Sequence, residues 1–424
     1  MPIESGSRSA GVLITGAGSG IGRSTALRLA RNGWHVVAVD ADAAALERLS
    51  AAWPPRAVAP SMRVADLTDA AQIEALTRQL PPLAALINNA GMSGGGTEVL
   101  AGSSENAARR LIALNLEAPA RVVDACMPLL VPGARIVNVA SGAGLRAIPW
   151  RGLYSASKAG LIAQTRALAR AHPEWTVCAL SPGFVRTELV QRLIDEGHLD
   201  PAEAVARIPL GRMAEPDDLA EALCLLASQG ARTLRGQLLV VDGGSSIYGG
   251  SQPLPSAQHP PLPFESTLSL GCEAISDAAW QAALANRDQP STCDETRAAS
   301  TYRAVVDGRA MQAAPGSVLQ AVLAAARNFR ERHAAQASLT LLLPPESPEV
   351  PWQQAGAAAA ARMAVATLAV EWGACGLRIN ALAPAPGCDP AECLPLLDYV
   401  AGPRAQFLTG QILRPGADLA GVTP

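Results

Sequence analysis

The chain has 424 residues, 49% of them hydrophobic, and a formal net charge of −3. This length predicts two or three domains, and the composition is that of an ordinary globular protein. Because the arginines are scattered and the net charge is slightly negative, we exclude nucleic acid as an expected partner.

Signals for export, for a membrane and for a metal site are missing from the sequence. Its first residues, MPIESGSRSAG, lack the apolar core of a signal peptide. The Ala-rich stretch 355–374 contains Arg362 and Glu371, so it is too polar to span a bilayer. The eight cysteines form no C-x-x-C pair, and the five histidines form no H-x-x-x-H pair. We therefore expect a reduced, cytoplasmic protein that contacts no membrane and binds no metal.

The first motif along the chain is a glycine-rich turn. A short apolar run, Val12 to Thr15, leads into Gly16-Ala17-Gly18-Ser19-Gly20-Ile21-Gly22, and a helical pattern follows. In this order, backbone N–H groups and a helix N-terminus can meet a pyrophosphate. The next predicted strand, 35–39, ends at Asp40, whose carboxylate would accept hydrogen bonds from a ribose 2′-hydroxyl and repel a 2′-phosphate. The two motifs together favour NAD over NADP.

Strands and helices then alternate, which predicts a parallel sheet covered on both faces. Polar or glycine-rich residues follow the predicted strands, namely Asp66-Leu67, Asn88-Asn89-Ala90-Gly91, Ser141 and Pro182-Gly183. In open parallel sheets, the carboxyl ends of the strands form the rim where ligands bind. We therefore predict an α/β fold with a doubly wound, Rossmann-type parallel sheet and a ligand site on that rim.

Lys158 is the only lysine of the chain, and it lies four residues after Tyr154, one of four tyrosines. On a helix predicted over 155–168, residues four apart share a face, so the ammonium and the phenol would be neighbours. A free tyrosine has a pKa of ~10, and an adjacent positive charge lowers that pKa. A solvated surface pair is the alternative for this spacing alone. The other motifs favour a catalytic pair.

Together, these motifs resemble the short-chain dehydrogenase/reductase family over roughly residues 8–250. The resemblance is carried by the glycine turn, Asn115, Ser141, Tyr154 with Lys158, and the segment PGFVRT at 182–187. It implies that Tyr154 is the general acid/base and that Lys158 lowers its pKa and holds the nicotinamide ribose. It also implies that Ser141 bonds the substrate oxygen and that Asn115 completes a proton relay through a water.

The same resemblance implies a cofactor site made from the glycine turn, the rim residues and the catalytic pair. Its predicted members are Gly16, Ser19, Gly20, Ile21, Gly22, Asp40, Asp66, Leu67, Asn88, Ala90, Gly91, Tyr154, Lys158, Pro182, Gly183, Val185 and Thr187. Relatives that use NADP often carry a basic residue where Ser19 stands, which is a second indication of NAD. We therefore predict NAD as the cofactor.

The substrate is less well defined by the sequence. The loop 142–153 contains Ile148-Pro149-Trp150, and the segment 189–210 has helical apolar spacing. In the family these walls cover the substrate, so an apolar alcohol or ketone fits best. Arg146 and Arg151 could instead receive a carboxylate or a carrier phosphate, although loop arginines are more often solvated.

Three units are predicted along the chain. Residues 1–250 form the NAD-binding catalytic domain, and 251–265 have the composition of a semi-rigid, proline-rich linker. Beyond the linker, RINALAP at 378–384 repeats the layout of 176–182. We therefore predict that 266–424 form a partial, degenerate repeat of the same fold, beginning at the equivalent of its fourth strand.

The predicted repeat keeps no member of the catalytic tetrad. Alignment of its segments puts Met311, Leu343, Gly356 and Ala360 where the first domain has Asn115, Ser141, Tyr154 and Lys158. It also has no predicted first strand, which the nucleotide crevice requires. We therefore expect a non-catalytic domain.

The repeat is expected to pack against the first domain as an intramolecular imitation of a family dimer. Family members assemble through their long helices and their final helix and strand, and the repeat keeps these parts. We expect helix 357–372 to lie beside helix 154–170 or its neighbour. A further homodimer of the whole chain stays open.

Three functions compete. An NAD-dependent alcohol dehydrogenase or carbonyl reductase agrees with every motif. An NADPH-dependent ketoreductase is disfavoured by Asp40. A non-catalytic partner protein that senses dinucleotides is disfavoured by the intact tetrad, since a sensor needs no poised phenol.

Overall fold

Two parallel sheets organise the molecule. The computed structural model describes residues 11–93, 104–146, 152–287, 300–345 and 352–417. Within these ranges twelve strands form one sheet of seven and one of five, and every pairing between named strands is parallel. The predicted α/β class is confirmed.

The first sheet has the strand order β3-β2-β1-β4-β5-β6-β7. Its strands are β1 (Gly11–Thr15), β2 (His35–Asp40), β3 (Ser61–Val64), β4 (Leu83–Asn88), β5 (Leu130–Val139), β6 (Thr176–Pro182) and β7 (Leu238–Val241). The chain leaves β1 toward β2 and returns beside it as β4, so a crevice opens between the carboxyl ends of β1 and β4.

Nine helices connect these strands in the described ranges. They are α1 (Gly20–Arg31), α2 (Ala43–Ala51), α3 (Ala70–Leu76), α4 (Glu105–Ile112), α5 (Ala118–Cys126), α6 (Gly152–Ala171), α7 (Glu188–Asp195), α8 (Pro201–Val205) and α9 (Pro216–Leu226). Short polar residues begin several of them, because their side chains accept hydrogen bonds from the first free N–H groups. Asp42 caps α2, and Thr187 caps α7.

The second sheet has the order β8-β9-β10-β11-β12. Along the chain its elements are β8 (Thr267–Glu273), α10 (Ala278–Ala285), β9 (Thr301–Asp307), α11 (Val318–Arg332), β10 (Ala337–Leu342), α12 (Trp352–Trp372), β11 (Arg378–Leu382), α13 (Pro390–Ala401) and β12 (Ile412–Leu413). Every residue of β1, β4, β10 and β11 is buried, as expected for parallel strands covered on both faces.

The second sheet corrects two expectations. β9 pairs with β8 and β10, as β4 pairs with β1 and β5, so a strand does stand at the position of β1. A strand at 267–270 was visible in the sequence, but its place in the sheet was not, because no glycine turn follows it. The pairing of β10 with β11, compared with that of β5 with β6, puts Pro344 at the position of Ser141, one residue beyond the expected Leu343.

The two parts of the chain share one hydrophobic core. Leu219 and Leu223 of α9 belong to the same buried cluster as Leu396 and Leu397 of α13. The expected partnership of α12 with α6 is wrong as the main contact, because α12 packs on α11 and β11 of its own sheet. The two parts meet mainly through α9 and α13 and the short helical turns that follow them.

Two expected absences concern membranes and metals. Among the described residues, no helix combines the length and apolarity needed to cross a membrane. Within the same ranges, no group of three potential metal-ligating side chains was found.

Candidate active site

The turn between β1 and α1 needs glycine at two positions. Gly16 and Gly20 have φ angles of +63° and +48°, in the left-handed region that other residues rarely adopt. A Cβ at Gly16 would also lie 2.9 Å from the Cα of Ala90. Because both positions exclude side chains, the backbone at the start of α1 lines the crevice, as a pyrophosphate site requires. The N–H of Gly20 donates to Glu188 Oε2 at 3.0 Å.

Thr15 and Asn89 tie this turn to the turn after β4. The hydroxyl of Thr15 accepts hydrogen bonds from the N–H groups of Asn89 and Ala90, each at 3.0 Å. The amide of Asn89 donates to the carbonyl oxygens of Thr15 and Gly16, each at 3.1 Å. These four bonds hold the two sides of the crevice at a fixed separation.

Asp40 stands at the end of β2, where a dinucleotide ribose would lie. Its two carboxylate oxygens accept hydrogen bonds from the N–H of Gly18 at 2.8 Å and of Asp42 at 3.0 Å. The negative charge is therefore held at one place on the rim. Farther along the rim, hydrogen bonds from the backbone and then the side chain of Thr68 lower the pKa of Asp66.

Lys158 is buried on α6, one turn after Tyr154. Its ammonium donates a hydrogen bond to the carbonyl oxygen of Val139 at 2.8 Å and lies 5.9 Å from the centre of the Tyr154 ring. Burial lowers the pKa of Lys158 to about 8, because a charged group loses hydration inside the protein. The predicted pair is therefore brought together as the helical spacing requires.

Ser141 follows β5 and faces the same crevice. Its hydroxyl accepts a hydrogen bond from the N–H of Ala143 at 3.2 Å, which begins a short helical turn. The extended backbone of Ser141, with φ −169°, ends the strand. This arrangement places a hydroxyl on the rim beside Tyr154 and Lys158.

Asn115 lies one layer behind the crevice. It is fully buried in a π-helical stretch, Ala113–Glu117, and such stretches occur frequently at functional sites. Its Oδ1 accepts from the N–H of Met92 and its Nδ2 donates to the carbonyl of Met92, both at 2.9 Å. Nδ2 also donates to the hydroxyl of Ser157 at 3.3 Å. Asn115 therefore joins the turn after β4 to α6.

The crevice as a whole is a cavity of about 430 Å³. The predicted cofactor residues that line it are Gly16, Ser19, Gly20, Ile21, Asp40, Asp66, Leu67, Ala90, Gly91, Tyr154, Lys158, Pro182, Gly183, Val185 and Thr187. The residues present therefore fit a dinucleotide, since glycine backbone, a ribose-facing carboxylate and a buried ammonium follow one another along a single cavity.

Two predicted cofactor residues stand elsewhere. The Nδ2 of Asn88 donates to Asn138 Oδ1 at 2.9 Å beneath the sheet, because successive residues of a strand point to opposite faces. Its neighbour Asn89 lines the crevice instead. Gly22 lies against the carbonyl of Gly16, where a Cβ would overlap, so it permits close packing of α1.

The sequence reasoning missed several crevice residues. Arg110 and Arg192 line the cavity, together with the apolar side chains of Met92, Leu114 and Val190. Amphipathic spacing on α4 and α7 was the available signal, but it does not say which face meets a ligand.

The expected substrate loop falls partly outside the described residues. Ile148, Pro149, Trp150 and Arg151 lie outside those ranges. Arg146 lies within them, and its guanidinium donates to the carbonyl oxygen of Ser245 at 3.2 Å.

Comparison with known proteins identifies the first part of the chain. A family model described as enoyl-(acyl carrier protein) reductase matches residues 16–246. An uncharacterized short-chain type dehydrogenase/reductase of Sinorhizobium fredii is 39% identical over 242 residues, which are 55% of this chain and 43% of that protein. The chain belongs to the short-chain dehydrogenase/reductase family. It spans less than half the length of this relative.

Two further members of the family support the match. The 2-keto-3-deoxy-L-fuconate dehydrogenase of Xanthomonas campestris is 36% identical over 243 residues, 55% of this chain and 79% of that enzyme. The crystal structure of levodione reductase matches with a TM-score of 0.51 and 29% identity, covering 56% of this chain and 98% of levodione reductase. The chain is therefore an oxidoreductase of a family that uses nicotinamide dinucleotides.

In the part of the chain that the structure describes, the second sheet does not repeat the glycine turn of the first. Strand pairing puts Ala274 at the position of Gly16, and Ala274 keeps the left-handed backbone with φ +49°. Asp277 then caps α10 by accepting from the N–H of Trp280 at 2.9 Å. This carboxylate belongs to the turn itself, whereas the carboxylate at the start of α1, Glu188, comes from α7.

Proposed function

We propose that the chain catalyses hydride transfer between NAD(H) and a secondary alcohol or ketone. The observation that carries the proposal is the buried ammonium of Lys158, 5.9 Å from the Tyr154 ring, in a crevice that also contains Ser141 and the glycine turn. A solvated surface pair would not bury its cation. A bound nicotinamide ring would supply or accept the hydride.

In this proposal, the residues of the chain manage the proton. Tyr154 passes a proton to, or takes one from, the substrate oxygen, while the hydroxyl of Ser141 holds that oxygen. The ammonium of Lys158 favours the phenolate form of its neighbour and bonds the nicotinamide ribose. Because the pKa of Lys158 is about 8, this charge is present at neutral pH. Asn115 holds the Met92 turn and α6 in place and continues the proton path through water.

We further propose that NAD is preferred over NADP. Asp40 is held on the rim by the N–H groups of Gly18 and Asp42, so its charge cannot turn away easily. A ribose 2′-hydroxyl would donate to this carboxylate, whereas a 2′-phosphate would be repelled.

The substrate is proposed to be an apolar secondary alcohol or its ketone. Met92, Leu114 and Val190 supply an apolar wall along the crevice. Among relatives, a cyclohexanol dehydrogenase of Acinetobacter is 34% identical over 241 residues. Cyclohexanol, the substrate named for that enzyme, has the chemistry that such a wall would accept.

The second part is proposed to be a degenerate, non-catalytic repeat that docks as an intramolecular pseudo-dimer. Equal separations relate Pro216 to Gly236 and Pro390 to Gly410, and both glycines have φ +73°. The N–H of Gly236 donates into β6, and that of Gly410 donates into β11 at the matching residue. The contact of α9 with the turn after α13 would replace a partner subunit.

The experiment is a panel of secondary alcohols with NAD, followed by the absorbance of NADH, and the reverse reaction with ketones. Tyr154→Phe should lower kcat by about 10³-fold and leave NAD binding intact, because only the proton transfer is lost. Lys158→Arg should lose most activity, since a planar guanidinium cannot replace a compact ammonium. A Lys158→Arg enzyme with the parent's activity would contradict the proposed role of the lysine.

A further inference from the structure

The segment 183–215, which connects β6 to α9, forms one wall of the crevice. It leaves and returns at one point, where the N–H of Ala214 donates to the carbonyl of Phe184 at 2.9 Å and the N–H of Arg186 donates to the carbonyl of Ala214 at 2.8 Å. Its outgoing limb carries α7, which lines the cavity. Its return limb is 206–211.

The return limb is hydrogen-bonded to the linker. The N–H of Leu254 donates to the carbonyl of Ala206 at 2.8 Å, and the N–H of Ala257 donates to the carbonyl of Gly211 at 2.9 Å. Gly211 has φ +66°, and a Cβ there would overlap the linker backbone. The linker therefore lies directly on this limb.

The second part of the chain holds the same linker from the other side. Gln406 exchanges two hydrogen bonds with the backbone of Leu262: the N–H of Leu262 donates to Oε1 at 2.8 Å, and Nε2 donates to the carbonyl at 2.6 Å. The N–H of Gln258 donates to the carbonyl of Ala374 at 2.8 Å. The proline-rich segment is thus fixed at both faces.

A second contact bypasses the linker. Gly373, directly after α12, packs against the carbonyl of Pro209 in the return limb, and a Cβ at Gly373 would overlap that carbonyl. Backbone therefore touches backbone across the two parts, and only glycine permits this approach. Ile208 and Leu210, on either side of Pro209, are buried in the shared core.

We infer that the second part braces the substrate-side wall of the crevice, with Gly373 as its positioning residue. Contacts at Pro209 and along the linker fix the return limb, and the limb in turn fixes α7 over the cavity. The role in turnover rests on the proposed function, whereas the mechanical role does not. The second part then sets the KM for the substrate, although it contacts neither substrate nor cofactor.

The mechanical role is tested by amide hydrogen exchange of the full chain. In Gly373→Ala, the added methyl group pushes the return limb away, so amides of 188–211 should exchange about tenfold faster than in the parent. Gly356→Ala is the matched control, because it adds a methyl group to α12 where nothing lies within 4 Å. Its exchange should equal that of the parent. Unchanged exchange in Gly373→Ala would overturn the inference.

A second variant keeps the inference testable if Gly373→Ala does not fold. Gln406→Ala removes only the two bonds to Leu262, so it should speed exchange of 188–211 by about threefold. Unchanged amide exchange of 188–211 in folded Gln406→Ala would also overturn the inference.

The role in turnover is tested with cyclohexanol and NAD as probes. Gly373→Ala should raise the KM for cyclohexanol by about fivefold and the Kd for NAD by less, since only Thr187 of the predicted cofactor residues adjoins the displaced segment. A raised Kd for NAD with unchanged KM would reject this role. If the parent oxidises no alcohol of the panel, the proposed function fails while the exchange experiment still decides the brace.

Discussion

The turns after β1 and β8 occupy the same place in two parallel sheets, yet only one suits a phosphate. Both begin with a left-handed residue, Gly16 at φ +63° and Ala274 at φ +49°. After Gly16, the N–H groups of Gly18 and Gly20 donate to the carboxylates of Asp40 and Glu188, which come from other elements. After Ala274, the carboxylate of Asp277 caps the next helix. A preserved backbone path therefore does not preserve a site, because the turn after Ala274 lacks the glycines that keep side chains out of the first turn.

The catalytic positions differ in the same way. The second sheet carries Pro344 at the position of Ser141. Its core is nevertheless as completely buried as that of the first, with β10 and β11 fully inaccessible. The second part therefore has a buried parallel core like that of the first, but Pro344 offers no hydroxyl at the position of Ser141.

The strongest contradiction of this difference between the two sheets would be cofactor binding by both. Calorimetric titration of the chain with NAD should give one site, because the first sheet alone has the glycine turn and Asp40. As a control, Gly16→Val should abolish this site, since its Cβ would strike Ala90. Two equivalent sites per chain would show that the second crevice is also functional.

Lys158 offers a test that separates function from stability. Its pKa falls from 10.5 to about 8 on burial, so the folded chain is penalised for holding the proton. The penalty is complete below about pH 8 and disappears above pH 10.5, so the parent gains stability as pH rises between these values. Lys158→Met should abolish turnover and raise the free energy of unfolding at pH 7 by about 3 kcal/mol. Denaturant titrations of the parent and the variant measure the free energy of unfolding at pH 7 and at pH 10.

The prediction would be contradicted if Lys158→Met raised the free energy of unfolding as much at pH 10 as at pH 7. A matched change at the corresponding position of the second part, Ala360→Met, carries no such titration and should show no pH-dependent difference from the parent.

Glu221 forms ion pairs at the interface between the two parts. This carboxylate on α9 is 1% exposed and pairs with Arg28 at 2.5 Å and with Arg404 from the second part. Glu221→Gln removes the carboxylate that pairs with Arg404 and leaves Arg28 with Glu265 as its remaining partner, so the free energy of unfolding should fall by about 2 kcal/mol. Glu203→Gln, on α8, serves as the control in the same thermal or denaturant measurement. Equal stability of both variants would mean that the ion pairs contribute little to docking.

Asp40 carries the smallest predicted effect. The parent should prefer NAD over NADP by about tenfold in kcat/KM, or roughly 1.4 kcal/mol. Asp40→Ala should narrow the gap, because the repulsion of the 2′-phosphate is removed. Steady-state kinetics with both cofactors measure the ratio. Equal efficiency in the parent would reject the assignment of NAD.

Much of the first part could be predicted from local patterns. Strands were visible as apolar runs between turn residues, and the helix that carries Tyr154 and Lys158 followed from spacing. The face to which a rim residue points could not be obtained in this way, because it depends on the register at the end of the strand. Asn88 was therefore predicted to bind cofactor, whereas Asn89 lines the crevice.

The sequence by itself determined most of the residues that line the first crevice, since glycine turns, a helical Tyr-x-x-x-Lys pair and a strand-end carboxylate are local features. The tertiary structure alone decided that β8 stands at the position of β1, that α9 rather than α6 meets the second part, and that the linker lies on the wall of the crevice. These outcomes depend on shape and hydrogen bonding between segments far apart in the chain. Short-range periodicity contains no record of such pairings, because the same apolar face can pack against several partners.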